Sequence, residues 1–408
     1  MPERRTPLYD VHVRAGAQMV KGGGDFWFPL SYTGAAEEHT NTRQNVGMQD
    51  LSTMGEVDIK GPGAERLVNH LCVNEIRDLF PGQMRYTTMC AEDGGIVDDV
   101  TVYKFGEEHF MIVTSSGPRK QSAAWIAEQA RGASAYVNDI TGAIALISVQ
   151  GPRSRELLAS AIDGVDFDGL RFFWFQRGRL EDVEMIVSRS GYTGELGYEL
   201  YVPAEEAAWV WQELTRRGRE FGLLPYGIRA MQSLRMEKAL PLYGPDISPG
   251  VTPFHLGLER WIKFEKRDFI GRQALLEQQA MGLDRRWVGM FLESSRAASL
   301  NDPIYNVADI KNFREKYFSG PEAGQQEDPF TAGHQQVGSV TSSAQGYSVG
   351  KMLALGFVDV AYAWPGAKLV VNSGGRPVLA TVTQTPFFDP AGMRVRGRYS
   401  RRDDGMKG

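Results

Sequence analysis

Between residues 94 and 103 the chain reads GGIVDDVTVY, a turn dipeptide followed by an alternating, β-branched run that predicts a strand. A second strand, VEMIVSR over 183–189, leads into SGYTGELGYELY, where three closely spaced glycines mark a turn that lets backbone approach a ligand. A further strand follows, with Tyr198 and Leu200 on one face and Glu199 on the other. Helical periodicity appears over 118–130, 204–221 and 227–238. In 204–221 Ala, Trp, Val and Leu share a face, which reads Trp209 and Trp211 as core rather than as a cofactor stack. Residues 58–67 (DIKGPGAERL) resemble 148–157 (SVQGPRSREL) at an offset of ninety, each a strand, a Gly-Pro and a helix. Gly makes the turn and Pro suits the first helical position, where its missing N–H is not needed. Two such units suggest duplicated α+β modules.

From about residue 285 the pattern changes to short alternating strands at 286–293, 338–343, 352–360, 367–372 and 380–388, separated by Gly and Pro turns. That is the pattern of a small all-β barrel or sandwich. The intervening 296–336 reads as a long loop with some helix over 310–318, of the kind that often serves as a lid. Residues 400–408 read as a disordered tail, and PLYGPDISPGVTPFHLGLERW (241–261) as a Pro/Gly-rich loop.

Composition narrows the class. At 408 residues two or three domains are expected, and 42% hydrophobic with 23% charged residues is ordinary for a globular protein. A net charge of −5 gives no electrostatic case for nucleic acid. No apolar stretch approaches the ~20 residues of a membrane span, and MPERRTPLYD lacks the apolar core of a secretory signal. Cys72 and Cys90 are the only cysteines, too few for a disulfide framework or a thiolate metal site. The six histidines are scattered without a ligating spacing, so each reads as structural. A cytoplasmic, metal-free protein is expected.

Three segments could carry chemistry. In an extended strand Asp98 and Asp99 point to opposite faces, so one of them looks inward. A buried carboxylate is costly unless it is paired or used, and the plain alternative is a solvated strand cap. Glu199 among aromatics suits a flat heterocycle, with rings stacking and the carboxylate accepting from ring N–H groups. The alternative there is a hairpin with a solvent-facing Glu. In the helix over 227–238, Arg229 and Arg235 lie off one face, so one could clamp an anionic tail while the other pairs with Glu237 or an outside carboxylate.

Several long motifs then carry a resemblance: GGIVDD, SRSGYTGELGYELYVPAEEA, GSVTS and IRAMQSLRMEKALPLYGPDISPGVTPFHLGLERWIKFEKRDFIGR, with TPLYDVHVRAGAQMV and VGMQDLSTMGEVDIKGP near the start. From about residue 6 to 390 the chain resembles the tetrahydrofolate-dependent aminomethyltransferases, the family of the glycine cleavage T-protein. RAMQSLRMEK and ELGYELYVP look closer to the folate-binding halves of dimethylglycine and sarcosine dehydrogenases than to T-protein itself. The resemblance implies an α+β fold, a three-domain cloverleaf in which two related α+β domains and a C-terminal antiparallel β-barrel surround a folate channel. The implied divisions are 1–52 with 142–228, then 53–141 with 229–284, then 285–392 with its insertion at 296–336, and a tail over 393–408. Tetrahydrofolate is the implied cofactor. By the same resemblance Asp99 is the catalytic carboxylate, Tyr86, Tyr103, Tyr192 and Glu199 hold the pterin, and Arg229 meets the glutamyl end. A C-terminal arginine, Arg394 or Arg396, aligns with another contact.

Departures from the pattern fall on the donor side. Gln49 and Thr53 stand where T-proteins have Phe and His, Thr114 where they have Asn, and Ala230 where they have Asp. A branch of the family acting in tRNA-linked chemistry carries a Cys in its signature segment, which RSGYTGE lacks. The expected function is transfer of an aminomethyl or methylene group from a small amine donor to tetrahydrofolate. The alternatives are demethylation of a methylated sulfonium, amine or aryl ether to give 5-methyltetrahydrofolate, and folate binding without catalysis. The family's lipoyl H-protein is a candidate carrier of the donor, and the altered residues argue against it.

Overall fold

A computed structural model describes residues 4–22, 26–319 and 334–398. The described residues within Met1–Gln232, Trp261–Ala274 and Ala391–Gly408 make one compact unit, and those within Ser233–Arg260 and Leu275–Pro390 a second.

The first unit is built on two sheets. One has six strands in the order Phe175–Leu180, Val183–Ser188, Gly197–Pro203, Ile144–Gln150, Val46–Asp50 and Leu223–Pro225, antiparallel except for the last pair. The other has five antiparallel strands in the order Met84–Cys90, Ile96–Gly106, His109–Thr114, Gly55–Lys60 and Tyr136–Asp139. A small three-stranded sheet of Arg4–Arg5, Phe26–Ser31 and Gln18–Gly22 stands apart from both.

The repeat in the sequence is a repeat in the structure. Gly55–Lys60 runs through Gly61-Pro62 into the helix Ala64–Leu71, and Ile144–Gln150 through Gly151-Pro152 into Ser154–Ala161. Gly61 and Gly151 share φ = +124°, a conformation that L side chains rarely adopt. A Cβ at Gly151 would lie 2.3 Å from the Asn45 carbonyl, and at Gly61 2.8 Å from that of Ser134. The prolines differ from the expected first helical position. Each sits in the turn before the helix, whose N-caps are Gly63 and Arg153.

Each helix buries an apolar stripe against its sheet. Leu67, Val68 and Leu71 meet Val100, Val102 and Ile112 in one core, and Leu157, Leu158 and Ala161 meet Val149 and Tyr198 in the other. The expected helices are present as Arg119–Gln129, Ala207–Gly218 and Ile228–Glu237. Trp211 is in the core as expected, but Trp209 is 38% exposed, one position off the buried stripe of its helix. No described helix is long and apolar enough to cross a membrane.

The second unit contains a closed antiparallel barrel in the order Arg285–Leu292, Lys351–Asp359, Gln335–Gly346, Pro303–Asn306, Lys368–Ser373 and Arg376–Thr383. Its fourth strand by position, Pro303–Asn306, corrects the reading of 296–336 as a long loop. Ile304 is fully buried and completes the closure. A helix, Ile310–Arg314, follows, N-capped by Asp309 accepting from the Asn312 N–H, and continues as one π-turn over Glu315–Ser319. Residues 320–333 of that insertion, and the expected tail at 400–408, lie outside the described residues.

Arg235 binds an outside carboxylate rather than Glu237. Its guanidinium donates to Asp246 at 2.8 Å and to Ser342 at 2.6 Å, with both ions of the pair fully buried. Thr341 and Ser342 of the GSVTS motif also donate to Asp246, so that motif serves this ion pair.

Candidate active site

Strand alternation places Asp99, Thr101 and Tyr103 on one face of the five-stranded sheet, and the ladder sets Thr88, Tyr86 and Met84 directly opposite them on that face. The six-stranded sheet carries a polar row, Ser188, Glu199, Ser148 and Gln49, across four adjacent strands. Tyr201 and Leu146 of that face pack with Tyr103, Met84 and Phe175 in one cluster, so the two faces meet. Tyr103 joins them: its hydroxyl donates to Ser188 Oγ at 3.2 Å and shares a hydrogen bond with the Tyr201 hydroxyl at 2.8 Å.

The two aspartates are unequal. Asp98 is fully buried on the helix side, where one oxygen, Oδ2, accepts from the Ser115 N–H at 3.2 Å and from Ser122 Oγ at 2.7 Å. Its Oδ1 has no hydrogen-bond partner among the described residues. Burial, and then the charge of Asp99, push its pKa up to about 8. Asp99 is half-buried on the other face, accepting from the Tyr86 hydroxyl at 3.0 Å and from Ser115 Oγ at 3.1 Å. Ser115 therefore touches both carboxyls, by its backbone N–H on one and its hydroxyl on the other. Burial and the neighbouring Asp99 raise the Tyr86 pKa well above normal, with Tyr192 close enough to add to the effect. Tyr86 so remains a hydrogen-bond donor to Asp99, and its ring meets Trp261 edge to face at 6.3 Å.

Glu199 accepts a short hydrogen bond from Ser190 Oγ, and Ser190 is linked at 3.0 Å to Ser188. Burial raises the Glu199 pKa against the pull of Ser190, and Glu199 in turn raises that of Tyr103 after burial itself. The Gly-rich turn beside it departs from the expectation of a ligand approach at its glycines. A Cβ at Gly191 or Gly197 would fall 2.0 or 2.1 Å from Gln150 Oε1. Those glycines make room for the Gln150 side chain, which donates to the Ser190 and Tyr198 carbonyls and accepts from Thr193.

The arginines also separate. Arg229 is exposed near the start of Ile228–Glu237 and makes no hydrogen bond or ion pair among the described residues. Arg394 is buried, its Nε donating to both oxygens of Glu195 at 2.7 and 3.0 Å. Arg43 holds the same carboxylate at 2.9 Å and the Thr193 carbonyl at 2.7 Å, so two guanidiniums lock the turn through Glu195. Arg396 is exposed and donates to the Ala391 carbonyl.

Asp99 with Tyr86, and Tyr103 with Glu199 by way of Ser188 and Ser190, thus form two polar groups on facing sheets. Sequence reading missed Ser115, Ser188, Gln150 and Arg43, whose partners are distant in the chain. It also missed Glu56, a fully buried carboxyl pushed well above its usual range by burial and Asp139.

Residues 8–266 match the family model described as the GCVT N-terminal domain, and 319–389 the glycine cleavage T-protein C-terminal barrel domain. The chain belongs to the glycine cleavage T-protein family. Among T-protein relatives it is similar to the aminomethyltransferase of Moorella thermoacetica, 36% identical over 385 residues, covering 94% of this chain and 98% of that one. The aminomethyltransferase of Streptomyces coelicolor is 38% identical over 388 residues, with 94% and 97% covered. The crystal structure of glycine cleavage system aminomethyltransferase T from Bartonella henselae superposes with a TM-score of 0.83 at 27% identity, covering 95% of this chain and 99% of that one. The T-protein family is a family of enzymes, and its architecture of mixed α/β domains with a C-terminal barrel is the one described above.

Proposed function

We propose that this protein transfers an aminomethyl or methylene group from a small amine donor to tetrahydrofolate, with Asp99 as the catalytic carboxylate. The single observation carrying this reading is the hold on Asp99: each of its oxygens accepts one donor, Tyr86 or Ser115, on a half-buried face. Two fixed donors set the carboxylate's direction before substrate arrives, which is what orienting a nitrogen and stabilising developing positive charge require. Asp98 beside it, its carboxyl pushed up to about 8 by burial and then by Asp99, retains its proton near neutrality, while Asp99 stands on the face turned to the other sheet.

The residues fit a reduced folate. Glu199 offers a carboxylate oxygen beside buried phenols, suited to the N–H groups of a pterin, and Tyr86 and Tyr192 offer aromatic surface. Arg229, a guanidinium without a partner among the described residues, suits the glutamyl carboxylates. Tyr103 and Arg394 act as positioning residues, one tying the sheets together and the other locking the turn before Glu199. When bound, tetrahydrofolate would supply the nitrogen that bonds the one-carbon unit as the donor's amine departs, and Asp99 would be placed to take the proton that this nitrogen loses.

The test is Asp99→Asn. Turnover is expected to fall by about 10²–10⁴-fold while folate binding survives. Retained turnover in the variant removes Asp99 from the chemistry, and absence of turnover by the parent protein with every amine or methyl donor favours a folate-binding module.

Demethylation is the second reading, favoured by Gln49. It lies in the polar row beside Ser148 and Glu199 where the family has Phe, and so changes the donor side. Analysis of the folate product separates the two, because 5-methyltetrahydrofolate as the sole product rules out aminomethyl transfer. Addition of a lipoyl H-protein tests the carrier, and the altered residues predict no stimulation.

A further inference from the structure

A cavity of about 390 Å³ opens on the opposite side of the five-stranded sheet from Asp99. It is walled by the end of the helix Ala64–Leu71, the segment after Arg119–Gln129, the loop at 75–77 and residues 266–268. Both helices lie on the face of Asp98, Val100 and Val102, since Ser122 bonds Asp98 and Leu67 shares a core with Val100. The cavity is thus separate from the candidate active site.

Its charge is one-sided. Arg66, Arg77, Arg131 and Arg267 come from four separate segments and line the same space. None of their guanidiniums makes a hydrogen bond or ion pair with a described residue. Several arginines elsewhere do find carboxylates: Arg216 and Arg217 pair with Glu213, and Arg286 with Glu259. The carboxylates present in the cavity are engaged. Glu75 accepts from the N–H groups of Ile76 and Arg77, and Asp268 faces His70 at 3.5 Å.

Helix dipoles do not account for these arginines either. The carbonyls of Asn69, Cys72 and Asn74 around the end of Ala64–Leu71 are taken by the buried Lys266 ammonium at 2.6 to 2.7 Å. Four unpaired guanidiniums beside a fifth cation repel one another, in a chain whose net charge is −5. Planar guanidinium forks converging on a pocket of this size match phosphate oxygens bidentately.

We propose that this cavity binds a small polyanion carrying at least two phosphate groups. The site is remote from Asp99, so its ligand acts as an effector or anchor rather than as a substrate.

Inorganic tripolyphosphate is the probe, titrated calorimetrically into the full chain at low salt with citrate as a carboxylate control. The expected result is saturable binding of tripolyphosphate at least about tenfold tighter than of citrate. Binding should weaken by about tenfold or more in the double variant Arg66→Ser/Arg131→Ser, and also on raising the salt. Arg216→Ser, an exposed arginine elsewhere, should leave it unchanged, and matching thermal melts in the absence of probe show that both variants are folded. No saturable binding, undiminished affinity in the double variant, or citrate binding as tightly as tripolyphosphate each overturns the proposal.

Discussion

Ser115 sets how the aspartate pair behaves. Its backbone N–H serves Asp98 and its hydroxyl serves Asp99, so Ser115→Ala removes one donor from Asp99 and leaves the bond to Asp98 intact. Turnover is expected to fall by about tenfold, with stability changed by about 1 kcal/mol or less, as read from single-turnover rates beside urea melts. Asp98 makes a different prediction. Its carboxyl is held from 3.8 up to about 8, so between those values the folded chain keeps a proton that the unfolded chain has released. Stability therefore falls as pH rises through that window, and the contribution is fully lost above about pH 8. Asp98→Asn should flatten the decline, and a variant that declines as steeply as the parent would remove Asp98 as its source. The unequal facing of the two aspartates was legible from strand alternation alone. Ser115 was not, because no spacing links it to residues 16 and 17 positions away on a neighbouring strand. Arg394 and Glu195, 199 positions apart, were legible only as separate charges.

At the scale of elements, the strand–Gly-Pro–helix units were legible because the apolar period shifts from 2 to 3.6 across a turn dipeptide. The turn's inner geometry depends on backbone from elsewhere, the Asn45 and Ser134 carbonyls, which no local pattern displays. Gly151→Ala combines a positive φ with a backbone clash and should cost about 2 kcal/mol or more. Gly16→Ala, at φ = +77° with open space around it, should cost only about 1 kcal/mol in the same urea melts. Equal losses would mean that the clash relaxes freely. The barrel strand Pro303–Asn306 escaped notice for a reason of length. It has four residues, opens with Pro, and Ile304 is its one fully buried side chain. The Gly-rich turn was legible as a turn, yet its glycines accommodate Gln150, a side chain from a neighbouring strand.

Over the whole molecule, distant segments are tied by few groups. Lys266 fastens the 261–274 segment to the loop after Ala64–Leu71 through three carbonyls more than 190 positions away, and desolvation lowers its pKa to about 8. Lys266→Met strips those carbonyls of a buried donor and should cost about 2–4 kcal/mol, with limited proteolysis appearing near residues 69–75. A variant as stable and as protease-resistant as the parent would show that water replaces the ammonium. The interleaving of the two large sheets has a consequence for biosynthesis. Val46–Asp50 is buried along its whole length, but its neighbours Ile144–Gln150 and Leu223–Pro225 are made much later, after the five-stranded sheet over 55–139 is complete. At the ~5–20 residues per second of translation, the first strand waits roughly 5 to 20 seconds for its first partner. During that interval the nascent chain carries a finished sheet beside an orphaned strand whose Val46 and Met48 have no core yet, and it is then that a chaperone has something to hold.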